Sequence, residues 1–197
     1  MNINAQRETF RDDGTIRVRQ IVTRDGDLVH IVPDDVRMEI FVRGKSVESI
    51  QDASGKINRS LEAAALALGG EVEIQTVPGY LPRLKEEAMA GVLAKDFAAL
   101  IGKALVEVDS HGTGSSDTGD LSYLMPLVEV KCGGFQRGLH TNSFAIADEE
   151  QAYIVPAMAM TTIDLLAEAA QAARAILAGF TRRMSKAENL SYLRSVK

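Results

Sequence analysis

Alternating apolar and polar positions dominate the first third of the chain. Ile16 to Arg24 reads as a strand and ends at Asp25-Gly26, a dipeptide whose tolerance of positive φ suits a hairpin turn. Asp27 to Val32 is expected to return as a second strand, and Pro33-Asp34-Asp35 turns the chain again. Val36, Met38, Ile40 and Val42 then alternate with Arg37, Glu39, Phe41 and Arg43. That period of two predicts a sheet with one buried face and one charged, partly solvated face. From Ser46, an N-cap by residue type with Glu48 in the first turn, the period changes. Val47, Ile50, Ile57, Leu61, Ala64 and Leu68 fall on one helical stripe, which Gly69-Gly70 ends. Glu71 to Val77 alternates once more and stops at Pro78. Residues 15–78 therefore read as β-β-α-β, an α+β unit.

Pro78-Gly79-Tyr80-Leu81-Pro82 breaks both helix and strand and marks a domain boundary. Beyond it the pattern predicts a helix from about Arg83 to Gly102 and a strand from Ala104 to Asp109. A polar Gly/Ser loop, Ser110 to Asp120, follows, then a strand from Leu127 to Cys132 and a Gly-rich loop from Gly133 to Asn142. A long Ala-rich helix reaches roughly Phe180, with Pro156 opening or kinking it, and a short helix covers Lys186 to Val196. This order reads as α/β layering. The two regions, 1–78 and 83–197, each look incomplete. The first has three or four strands and one full helix; the second has two clear strands, too few for an independent sheet.

Composition narrows the class. The 197 residues are 46% apolar and 25% charged, enough for a packed core and unlike a disordered or disulfide-stapled chain. A net charge of −5 without a long basic run gives no footprint for nucleic acid. Cys132 is the only cysteine, which fits a reducing cytoplasm. The N-terminus lacks the apolar run of a signal peptide, and the longest apolar stretch, near Ile154 to Leu177, is cut by Asp164, Glu168 and Arg174. A soluble cytoplasmic protein without a membrane partner is expected.

Three segments carry candidate chemistry. His30, His111 and His140 form no close-spaced ligand pair, and a lone loop histidine is more often a surface or hydrogen-bonded residue. His140 has the best context, a Gly-rich loop after a strand, where α/β folds collect ligands. The loop with Ser115, Ser116, Asp117 and Asp120 is dense in backbone N–H groups and hydroxyls that can cradle an anion, or is simply a solvated turn. It carries neither a P-loop nor a G-x-S-x-G elbow. Arg43 and His30 each end a strand; pairing of those strands near Pro33-Asp34 would set a guanidinium and an imidazole at one sheet end. An arginine there can grip a carboxylate bidentately, or remain an exposed strand-end charge.

Four segments taken in series resemble one family. They are Asn4-Ala5-Gln6-Arg7-Glu8-Thr9-Phe10, His30 to Glu39 (HIVPDDVRME), Gly114 to Tyr123 (GSSDTGDLSY) and Gly138-Leu139-His140-Thr141. The chain is similar over nearly its whole length to the dinuclear zinc amidohydrolases and peptidases that include aminoacylase, carboxypeptidase G and the p-aminobenzoyl-glutamate hydrolases. The last branch looks closest because of the SSDTGDLS loop. The resemblance implies that residues 1–78 are the latter part of an α+β lid, or dimerisation, domain, with Met1 falling inside its first helix. Residues 83–197 are then the C-terminal half of an α/β zinc-peptidase catalytic domain.

On that template His140 matches the last metal-ligand histidine. The first histidine, the bridging carboxylate, the Glu-Glu pair with the general base and the following ligand have no counterpart here. Arg43 stands at the lid arginine aimed at the substrate carboxylate, and His30 stands where the family carries asparagine. Ser115, Ser116 and Asp117 match a segment lining the substrate pocket. In the family, a metal-bound water activated by glutamate attacks the scissile amide. The resemblance thus implies an amide substrate bearing a carboxylate and a zinc pair only in a completed site. It also implies a partner: a missing N-terminal half or a second copy. The alternative is a non-catalytic remnant or an α/β module binding small anions or a partner protein.

Overall fold

The structure, a computed structural model, describes residues 2–107, 114–152 and 155–196. Helices and two small antiparallel sheets make a mixed α+β architecture. The chain divides into two compact units. The described part of the first comprises residues 2–83, 114–120 and 189–196, and that of the second comprises 84–107, 121–152 and 155–188.

The first unit opens with a short helix α1 (Asn2–Ala5) and two 3-10 turns, Gln6–Thr9 and Asp12–Gly14. Strands β1 (Arg17–Arg24) and β2 (Arg37–Arg43) form an antiparallel ribbon running from Arg17↔Arg43 to Arg24↔Arg37. Helix α2 (Val47–Ala67) follows, with Ser46 extended at its N-cap and its Oγ accepting the Ser49 N–H at 3.2 Å. Ala53 and Ile57 on α2 are buried, as are Ile3 and Leu81. Lys56 ties α2 to the first segment: its ammonium donates to Thr9 O and to Asp52, both at 2.7 Å, and lies over the Phe10 ring.

The expected Asp25-Gly26 hairpin does not form. β1 pairs with residues 37–43 instead of 27–32, so the connection is a longer loop, residues 25–36. Gly26 does take positive φ (115°), but inside that loop, where a Cβ would lie 2.8 Å from the Pro33 ring. Charge fixes the loop base: Asp35 accepts from Arg24 at 2.9 Å and from Arg37 at 3.0 Å. Glu71 to Val77 is not a strand either. Ile74 and Thr76 are half-buried between exposed Glu73, Gln75 and Val77, so the alternating faces survive. What is lacking among the described residues is a neighbouring strand to complete a ladder.

In the second unit, helix α3 (Glu87–Ile101) starts later than predicted, after the extended Glu86 whose carboxylate caps the Ala88 N–H. Lys103–Leu105 is a 3-10 turn rather than the start of a strand, and residues 108–113, with His111 and the end of that predicted strand, lie outside the described residues. The short helix α4 (Thr118–Ser122) carries the chain from the first unit into the second. Leu127 to Cys132 runs without a ladder, although Val128, Val130 and Cys132 stay half-buried between exposed Glu129 and Lys131.

Strands β3 (Phe135–Gln136) and β4 (Ala145–Ile146) form a two-residue ladder, helped by stacked Phe135 and Phe144 rings 5.2 Å apart. After α5 (Glu149–Ala152) comes α6 (Val155–Gly179). Pro156 sits in its first turn, so it opens the helix. The helical path is instead interrupted at Ala167–Ala170, where Glu168, Ala169 and Ala170 adopt positive φ and no glycine or proline marks the break. Helix α7 (Lys186–Ser195) returns the chain to the first unit. α3 packs on α6, and Ala90 and Leu93 of α3 and Ala157 and Ile176 of α6 are buried. Within that contact the Thr161 hydroxyl donates to the Asp96 carboxyl at 2.6 Å, both residues buried.

Candidate functional site

The first unit holds a concavity of about 660 Å³. Its walls come from segments far apart in sequence: the β1–β2 ribbon, the Pro78–Arg83 segment, the Gly114–Asp120 loop and α7. The pleat of the ribbon puts most of the ribbon residues that line it on one face. Arg17, Arg19 and Ile21 lie opposite Arg43, Phe41 and Glu39, and alternate residues share a face. Arg17, Phe41 and Arg43 of that face line the concavity, and Val42 borders it as well. On the other face Val18, Ile40 and Val42 are half-buried. The Arg43 guanidinium sits 5.8 Å from the Phe41 ring centroid, a cation–π contact that holds it on this face.

The Ser/Gly loop reaches the same space through Gly114, Ser115 and Asp120. Its shape has a local cause. The Gly119 N–H donates to Ser116 O, and the Ser116 and Thr118 hydroxyls bond at 2.6 Å, turning the chain into α4. Gly119 is buried against the Leu81 carbonyl, and a Cβ there would collide with that oxygen. One residue on, the Asp120 carboxylate accepts the Leu81 N–H at 3.0 Å. Loop and Pro78–Pro82 segment are thus clamped together at one point. Ser115 is exposed and lines the concavity; Ser116 is half-buried in its own turn, and Asp117 is exposed; neither of these two is part of the lining. Arg83 also lines it, and a Cβ on Gly114 would stand 3.2 Å from the Arg83 guanidinium.

Arg17 and Arg43 line the concavity together with one carboxylate, Asp120, which already serves Leu81. The balance favours an anion, and Phe41 and Tyr80 add apolar wall. From α7, Leu193 closes part of the rim. The neighbouring Tyr192 phenol is pushed above its usual range, by burial first and then by the nearby Glu48 and Asp120 carboxylates.

The sequence-predicted residues separate clearly. Arg43 and Ser115 come together. His30 does not join Arg43: it sits exposed in the β1–β2 loop, beyond the Arg24↔Arg37 end of the ribbon, whereas Arg43 is at the Arg17 end. Six residue steps of β2 at about 3.3 Å each put roughly 20 Å between the two ends. The reason is the changed pairing, which turns residues 25–36 into a loop. His140 belongs to the second unit, on the exposed β3–β4 loop, with φ of 65° and its neighbour Thr141 bonded back to Gly138 O at 2.7 Å. Among the described residues no group of three His, Cys, Asp or Glu could hold a metal ion. Arg17, Tyr80 and Arg83 were not singled out from sequence. Arg17 had a readable signal, since it lies in register across from Arg43, but only once the strand partner is known.

No helix among the described residues is long and apolar enough to cross a membrane. Comparison with family models finds no match to this chain, and comparison with curated proteins finds none either.

Proposed function

We propose that this chain is the C-terminal portion of a dinuclear zinc amidohydrolase of the aminoacylase, carboxypeptidase G and p-aminobenzoyl-glutamate hydrolase type. Residues 1–78 would be a partial lid, and residues 83–197 the C-terminal half of the catalytic domain. The observation that carries this reading is the meeting of Arg43 and Ser115, two residues assigned to substrate binding on separate motifs, in one basic concavity. The period-two segments 71–77 and 127–132, which find no ladder partner among the described residues, also support a chain whose sheets are completed by another polypeptide.

The residues present do not fit a zinc pair by themselves: His140 stands as a lone exposed imidazole. No chemical step is assigned to this chain. Its own contribution is to hold the substrate. Arg43 takes the carboxylate through charge-assisted bonds, and Ser115 offers a hydroxyl and an N–H at the facing wall. Phe41 and Tyr80 offer apolar wall to the rest of the substrate. His140 would supply one ligand in the completed site. A second reading, a non-catalytic anion-binding module, draws on the same excess of guanidiniums over carboxylates.

The test is amide hydrolysis in trans. The purified chain alone is expected to release no amino acid from N-acyl amino acids or aminobenzoyl-glutamate. Mixed with zinc and the N-terminal half of a member of the resembled family, it is expected to hydrolyse them above a chelated control. His140→Ala should lower that activity by more than roughly 100-fold, because altering a mere support of a ligand already costs 10–100-fold. Turnover by the isolated chain, or full activity in His140→Ala, overturns the assignment. An inactive mixture that still binds the carboxylate leaves the anion-binding module.

A further inference from the structure

Within the ribbon, Arg17 lies directly across from Arg43 in the antiparallel register. Side chains at such a pair start about 4.5–5.5 Å apart, and like charges placed there repel. At the loop end of the ribbon Arg24 and Arg37 share Asp35, whereas Arg19, on the same face as Arg17 and Arg43, lies opposite Phe41. Arg17 and Arg43 have no ion pair among the described residues, and both are exposed to the concavity they line. On the same face the one ribbon carboxylate, Glu39, is opposite Ile21, two pairs further along. The Asp120 carboxylate is held by the Leu81 N–H. Arg17 and Arg43 thus border one concavity from paired positions on the two strands, neither with an ion pair among the described residues.

We propose that Arg17 is a second carboxylate-positioning residue, acting with Arg43 as a cross-strand clamp on a single carboxylate of the ligand. This rests on the substrate-holding role proposed above for Arg43. A carboxylate offers two oxygens and about four lone-pair sites, so it can accept from two guanidiniums at once. Their repulsion becomes attraction to the shared anion. Fixing the carboxylate from both strands also fixes its direction, which Arg43 alone would leave free to swing.

The experiment measures Kd by calorimetry for N-benzoylglycine, which carries one carboxylate, and N-benzoylglycinamide, which carries none. Wild type, Arg17→Gln, Arg43→Gln and the double variant are compared. Wild type should prefer the acid. Arg17→Gln should cut the acid-over-amide ratio by roughly 10-fold or more, the worth of a charge-assisted hydrogen bond, while amide binding stays the same. Because both arginines hold one group, the two losses should not add in the double variant. Without ligand, Arg17→Gln should melt no lower than wild type, since a like-charge pair is relieved. A structural role would weaken acid and amide together and lower the melting temperature.

If Arg17→Gln keeps the wild-type ratio while Arg43→Gln loses it, the clamp is wrong and the Arg43 assignment stands. If neither variant changes the ratio, both fall. Should Arg17→Gln fail to fold, Arg17→Lys replaces it: it keeps the charge but lacks the fork, so its ratio should fall short of wild type. A wild-type ratio in Arg17→Lys then overturns the clamp.

Discussion

Replacing Thr161 with Val removes one oxygen from the α3–α6 contact and little else. The two side chains are nearly the same size, so no cavity opens. The Asp96 carboxyl, 2% exposed, loses the hydroxyl that donates to it at 2.6 Å. A buried polar group left without its partner costs about 1–3 kcal/mol. For a protein of this size that corresponds to a fall in Tm of about 2–12 °C. The neighbouring Lys95–Asp164 pair, at 3.0 Å but with Lys95 76% exposed, is the internal control. Lys95→Ala should cost well under 1 kcal/mol. Because the chain forms two units, amide hydrogen exchange on α3 and α6 is a better assay than a single melt. Thr161→Val should speed exchange in both helices, and Thr161→Val with Asp96→Leu should recover much of the loss, since neither partner is then orphaned. Unchanged exchange in Thr161→Val would refute the claim that this bond holds the helices together.

Other perturbations probe the first unit. Gly119→Ala drives a methyl into the Leu81 carbonyl and should destabilise by about 1–3 kcal/mol in a chemical denaturation series. Ser46→Ala removes the hydroxyl that accepts the Ser49 N–H and should cost about 1 kcal/mol, read as a lower denaturation midpoint. The Asp35 carboxyl is held below its ordinary 3.8, first by the hydrogen bond from Arg37, with Arg24 adding attraction. Its folded-state value is the lower one, so its stabilisation is full above 3.8 and disappears as pH falls through that lower value. Asp35→Asn should therefore melt below wild type at neutral pH and coincide with it in strong acid.

Much of the first unit is legible because its signals are local. The Ser46 cap and the apolar stripe mark α2, and the period of two marks residues 37–43 as a strand. Strand partners were not legible. Asp25-Gly26 has the chemistry of a tight turn, yet the Arg24, Asp35 and Arg37 charges and the Gly26–Pro33 contact close a longer loop. That single change moves His30 away from Arg43 and brings Arg17 to it. Residues 71–77 and 127–132 show the opposite case: their sequence writes two faces correctly, but a ladder needs a neighbour that no local pattern supplies. Ser115 was singled out by a motif; its meeting with Arg43 depends on the Gly119–Leu81 approach and the Asp120–Leu81 bond, contacts across almost forty residues.

The proposed substrate-holding role stands on the basic concavity of the first unit. The most direct measurement is a titration of the isotope-labelled full chain with N-benzoylglycine, following backbone amide shifts. The account predicts saturable shifts at Phe41–Gly44 together with Gly114 and Ser115, abolished in Arg43→Ala. Shifts confined to other residues, or shifts that persist in Arg43→Ala, would contradict it.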